Sequence, residues 1–178
     1  MTDAKLYQLK FPVGEFKKPN PIIEEHILEW INVLETFPKD LRTLAQDLSD
    51  ESLLLKYRQD SWTVRQVIHH ISDSHHNSYT RFKWTITENS PIIKAYNEVA
   101  WANLDDYNLP IDLSLKHIEV IHAKLVAFVK TLSEADFDRY FIHPETNGKV
   151  TLKENLGIYA WHSLHHLAHI KQALDNGF

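Results

Sequence analysis

Four stretches of this chain place apolar residues at three- and four-residue steps, and no other pattern persists as long. The first is "NPIIEEHILEWINVLETF" (20–37), with Ile23, Ile27, Trp30, Ile31 and Leu34 on one face. Asn20 suits its cap and Pro21 its first turn. Pro38 interrupts the pattern before Leu41, Leu44 and Leu48 continue it as a second helical piece. The second stretch, 63–88, opens on a capping box of Thr63 with Gln66, and the third covers 112–132. The fourth starts at Thr151 with Glu154 and runs to about Asp175, where Asn176 and Gly177 supply a stop.

Helices with one apolar face must bury it against one another. The expectation is therefore an all-α protein, a four-helix bundle with a long crossover between the second and third helices. That crossover is the aperiodic segment 89–111, with Pro91 and Pro110. "RYFIHPETNGKVTL" predicts a small hairpin before the last helix. Residues 6–16 alternate weakly and hold Pro12 and Gly14, so 1–19 is expected to be an extended N-terminal arm. At 178 residues the chain is expected to form a single domain over 1–178.

Composition excludes several functions. A net charge of −5 with no basic stripe argues against nucleic acid. The absence of cysteine removes disulfides, thiolate ligands and thiol nucleophiles. No apolar run reaches the roughly 18 residues of a membrane span, and no signal peptide opens the chain, so the expected compartment is the cytoplasm. Only four glycines are present, and no phosphate-binding glycine motif is among them.

Histidine is the anomaly: twelve are spread from His26 to His169, four of them within "YAWHSLHHLAHI" (159–170). Helical periodicity sorts them. At about 100° per residue, His162 and His166 fall on the apolar side of the last helix, stacked one turn apart. His165 lies about a quarter turn or more away and His169 is intermediate. On the second helix His70 borders the apolar stripe, whereas His69 shares a face with Gln66, Asp73 and His76 that reads as solvent. His75 reads as core and His76 as surface; His117, His122 and His143 have no evident partner. Three neutral imidazoles with an open position form a known zinc arrangement, and nickel suits the same donors. A cation there would lower the pKa of a bound water and produce a nucleophile. No glutamate lies between His162 and His166, which excludes the HExxH protease pattern. A histidine-rich helix also yields chance pairs, so periodicity alone leaves ligand and structural roles open.

Other residues carry weaker signals. Asn77 and Arg81 follow His70 on its side of the helix, and Arg81 is suited to a substrate carboxylate or to an internal ion pair. Trp101 and Tyr107 suit a cover over the site or anchors of the crossover. Trp161 and Leu164 form a second apolar face, for another packed layer or a dimer contact. Asp73 faces away, so no general acid or base emerges.

"SWTVRQVIHHISDSHHNSYTRFK", followed after about ninety residues by "GIYAWHSLHHLAHI", resembles the DinB superfamily, in its YfiT-like branch of metal-dependent hydrolases. "FPVGEF" and "HPETNGKVTL" are similar to that branch as well, so the likeness extends over the whole chain. It implies a bundle that binds one divalent metal per chain, zinc or nickel, through the second histidine of "VRQVIHH" and the first and last of "WHSLHH". These are His70, His162 and His166, the three that periodicity places inward. The resemblance also implies a homodimer and a small-molecule substrate. Relatives in the wider superfamily conjugate low-molecular-weight thiols such as bacillithiol to electrophiles, so thiol S-transfer is the alternative to hydrolysis. A non-catalytic metal-binding protein is the third possibility.

Overall fold

A computed structural model describes residues 2–178. In chain order the elements are α1 (Asp3–Lys10), α2 (Glu24–Ala45), α3 (Asp50–Leu54), α4 (Val64–Thr87) and α5 (Glu98–Trp101). A 3₁₀ turn (Asp105–Asn108) precedes α6 (Ile111–Val129), α7 (Glu134–Phe137), β1 (Tyr140–His143), β2 (Gly148–Thr151) and α8 (Leu152–Asn176). None of the described helices is long and apolar enough to cross a membrane.

The bundle consists of α2, α4, α6 and α8. Helix α2 packs against α6 and α8, and α4 packs against the same two, so α2 and α4 lie diagonally opposed. Cross-helix contacts give the directions. Lys130 pairs with Glu35, and Arg42 with Asp112, so α2 and α6 are antiparallel. His70 meets His162 while Ser78 meets Asn155, so α4 and α8 are also antiparallel. His69 meets Ser114 and His75 meets His122, which makes α4 and α6 parallel. Parallel neighbours need a connection as long as the bundle, and residues 88–110 provide it. At one end Ile92 bridges to Ile142 of β1; at the other Asn108 accepts a hydrogen bond from Arg65. The helical bundle with its crossover and small hairpin is the architecture expected from periodicity.

Caps fix two of the helix starts as anticipated. Thr63 and Gln66 exchange the paired bonds of a capping box, at 3.0 and 3.2 Å. Thr151 Oγ1 accepts from the Glu154 N–H, but the Glu154 carboxylate turns outward to Lys18. The hairpin pairs Tyr140 with Thr151 and His143 with Gly148, and Asn147 takes the positive φ that its turn requires.

Three local expectations are corrected. Helix α2 starts at Glu24, with the Ile23 N–H donating to His26 Nδ1, so Asn20 is not its cap. It then runs unbroken through Pro38. Proline removes the N–H that would reach the Leu34 carbonyl, and that carbonyl is paired instead with His122 Nδ1 at 2.6 Å. The arm is helical over Asp3–Lys10, where Thr2 caps the first turn, and is non-helical only beyond it. No residue of α1 is buried.

The core divides into two hydrophobic clusters. One gathers Phe37, Leu41, Ile68, Ile71, Ile118 and Ile170; the other gathers Leu34, Phe82, Leu125, Val129, Leu156 and Tyr159. Between Ile71 and Phe82 the buried positions of α4 are Ser72, Ser74, His75, Ser78 and Arg81, so a polar layer crosses the middle. Gly157 permits α8 to approach α2 beside the second cluster, since a Cβ would lie 2.8 Å from the Trp30 ring. Phe37 joins the polar layer to the first cluster, with its ring 5.9 Å from His75 and 5.4 Å from His122. Phe37→Ala is expected to cost about 3–5 kcal/mol through cavity formation, measured by urea unfolding. A loss below about 1 kcal/mol would contradict this packing.

Candidate metal centre

His70 projects from α4, and His162 and His166 project from successive turns of α8, their rings 4.4 Å apart. One ring nitrogen from each lies within 4.8 Å of the others. His70 Nε2 and His162 Nε2 are 3.2 Å apart. Two nitrogens at about 2.0–2.1 Å from one tetrahedral cation would be about 3.3 Å apart, so the spacing fits a shared ion. The donors are all imidazole nitrogens, a set suited to borderline transition metals rather than calcium or magnesium.

His70 and His166 are buried and His162 is partly so. Trp62 lies against His70, with ring centres 4.7 Å apart. The N-terminal arm covers the outer side of α8. Lys10 C=O accepts from His169 Nε2 at 3.1 Å, Gly14 C=O accepts from Trp161 Nε1 at 2.9 Å, and Phe11 lies beside His165. Tyr57 stacks on His169 at 3.8 Å.

That covering corrects the placement of two histidines. His165 and His169 lie off the inward face, as their angles require, but the arm buries them from behind. They form a second group of nitrogens within 4.8 Å that shares His166 with the first. His69 is also buried rather than solvent-facing. It sits between Ser114 Oγ at 2.7 Å and the Leu109 carbonyl at 3.1 Å because the crossover lies over it.

Two residues set aside by sequence reasoning join the site. His75 Nε2 is 3.0 Å from His162 Nδ1, and His75 Nδ1 is 2.8 Å from His122 Nε2. Both are almost wholly buried. His117 finds partners outside the site, in Ser72 at 2.7 Å and His76 at 3.1 Å. Tyr107 anchors the crossover by donating to Asp73 at 2.7 Å, and Trp101 packs on Tyr96. Asn77 bonds its own helix at Asp73 C=O. Arg81 is buried and donates to the Tyr159 hydroxyl at 3.2 Å, while its Nε has no hydrogen-bond partner among the described residues. Of the second apolar face, Trp161 is covered by the arm and Leu164 stays exposed.

Loss of hydration holds these histidines neutral. Burial lowers His70, His122 and His165 to about 4 and His169 to about 3, and pushes His75, His162 and His166 well below the usual range. Neutral imidazole is the form that binds metal. The unfolded chain, with histidines near 6.5, takes up protons between that value and about 4 that the folded chain refuses. Stability therefore rises with pH through this window and is lost as pH falls through it. The metal-free protein is expected to melt several degrees lower at about pH 5 than at about pH 7.5 by calorimetry. An equal or higher melting temperature at the lower pH would overturn the assignment of neutral buried histidines.

Residues 34–170 match the sequence profile of the DinB superfamily. A protein of Oceanobacillus iheyensis, provisionally named a metal-dependent hydrolase, is 50% identical over 161 residues, covering 90% of this chain and 93% of that one. A Bacillus cereus protein with the same provisional name is 46% identical over 162 residues, covering 91% and 93%. Among solved structures, YfiT from Bacillus subtilis superposes with a TM-score of 0.90 at 42% identity, over 93% of this chain and 95% of its own. It is described as a probable metal-dependent hydrolase with an unusual four-helix bundle topology. The mycothiol-dependent maleylpyruvate isomerase shares the fold, with a TM-score of 0.65 at 14% identity, over 87% of this chain and 63% of that one.

Proposed function

Because the chain belongs to the DinB superfamily, we propose that His70, His162 and His166 hold one divalent cation and that the protein is a metal-dependent hydrolase of a small molecule. The observation that carries this reading is the convergence of three imidazole nitrogens within 4.8 Å, two of them at the spacing of ligands to one ion. Relatives of 50% and 46% identity that are named for metal-dependent hydrolysis support it. A bound cation would supply a Lewis acid and a water nucleophile at neutral pH. The chain's own contribution is the neutral donor set, which leaves the ion's charge undiminished, and the Trp62 ring packed on His70.

Zinc or nickel is the proposed ion, since imidazole suits both. A homodimer in the cytoplasm is the proposed state; the cysteine-free sequence and the exposed Leu164 fit it. Thiol S-transfer uses the same three nitrogens, and the experiment separates the two chemistries.

Protein produced with zinc and nickel supplementation is expected to contain about one cation per chain by elemental analysis. His70→Ala or His162→Ala should weaken zinc affinity by more than the roughly 10–100-fold typical of losing an outer-shell partner, measured by competition with a chelator. A panel of esters and amides, with and without low-molecular-weight thiols, assigns the reaction. Turnover without thiol is the result expected, and turnover only with thiol assigns S-transfer. Protein produced with both metals that holds no cation overturns the reading.

A further inference from the structure

The polar layer at the centre of the bundle is a directed chain of hydrogen bonds. Its first member is the Leu34 carbonyl of α2, which can only accept. The helix leaves that carbonyl without its usual donor because residue 38, four positions on, is proline. His122 Nδ1, 2.6 Å away, must therefore carry a proton and donate it to Leu34. A neutral imidazole has one donor and one acceptor nitrogen, so His122 Nε2 is an acceptor. His75 Nδ1 stands 2.8 Å from it and must be the donor. His75 Nε2 is then an acceptor, and His162 Nδ1, 3.0 Å away, donates to it. The proton of His162 is thereby placed on Nδ1, and its Nε2 lone pair points toward His70 Nε2 at 3.2 Å. Each link is forced by the one before it, starting from an atom with no freedom.

His166 is served in the same way from the other side. Lys10 C=O accepts from His169 Nε2 at 3.1 Å, so His169 Nδ1 is an acceptor and faces His166 Nδ1 at 3.4 Å. The bond is longer, but its direction likewise leaves His166 Nε2 without the proton.

We infer that His75 and His122 are positioning residues, a relay from the Leu34 carbonyl that locks His162 as the Nδ1–H tautomer and presents its Nε2 as a ready ligand atom. Outer partners of this kind fix ring orientation and raise ligand basicity. The relay is a property of the fold; its effect on affinity rests on the cation reading above.

The test separates these two. In metal-free wild type, long-range ¹H–¹⁵N correlation spectra of ¹⁵N-histidine-labelled protein should show His122, His75 and His162 all protonated on Nδ1, the form that free histidine adopts less in water. His162 protonated on Nε2 overturns the relay whether or not any metal binds. His122→Phe keeps the ring volume beside Phe37 but offers no acceptor, so His75 and His162 should each populate both tautomers. Zinc affinity should fall by about 10-fold, the lower end for an outer partner. His122→Gln restores a carbonyl acceptor for His75 and should return affinity most of the way toward wild type. A folded His122→Phe with unchanged tautomers and unchanged affinity overturns the assignment. If that variant does not fold, the wild-type spectrum and the His122→Gln variant decide. If wild type binds no cation, the cation reading falls and the tautomer pattern alone decides the relay.

Discussion

A single backbone carbonyl, that of Leu34, sets the polarity of the bundle's interior. Proline four residues later removes its helical donor, and His122 of α6 takes the place. From there the chain of bonds passes to α4 at His75 and to α8 at His162, so it touches all four bundle helices. A buried polar group left without a partner costs about 1–3 kcal/mol, and every link here would be left so by a shift of one helix against another. The hydrophobic clusters on either side give most of the burial but tolerate exchange among similar side chains. The histidine layer is less tolerant, and it defines which residues of the four helices stand level.

The topology follows from the same requirement. His75 must face His122 and also His162, which needs α4 to lie between α6 and α8. With α4 and α6 parallel, the connection must travel the length of the bundle, and it then covers a face of α4 that would otherwise meet water. His69 is satisfied by that connection, through the Leu109 carbonyl. The arm does the corresponding work for α8, where Lys10 and Gly14 carbonyls receive His169 and Trp161. Segments without a regular period thus complete the hydrogen bonding of the histidine-rich helices.

This division explains what could be read from the sequence. The four helices, the crossover, the hairpin and the inward angles of His70, His162 and His166 all follow from periodicity and caps within one segment. His69, His165 and His169 were harder, because an angle on one helix says nothing about what a distant loop lays over its back. His75 was legible as a core residue but not as a partner of His162, since bonds between side chains on different helices leave no spacing. Pro38 was misleading for a related reason. In isolation proline ends a helix, whereas here packing on both sides and a donor 84 residues later make the missing bond good. His122 stands in the sequence only as a histidine without an evident partner, because its partners Leu34 and His75 lie on other helices.

The three nitrogens of the centre are not equivalent. His162 and His166 have their outer nitrogens engaged, one through His75 and the other through His169. His70 Nδ1 is buried and has no hydrogen-bond partner among the described residues. Two ring orientations are therefore held by bonds that end on backbone carbonyls, and the third is held by packing against Trp62. A packed ring can rotate or exchange its proton between nitrogens at less cost than one whose outer nitrogen is hydrogen-bonded. The side of the site on α8 is the more rigid, and the side on α4 is where adjustment to the proposed ion would have the least to break.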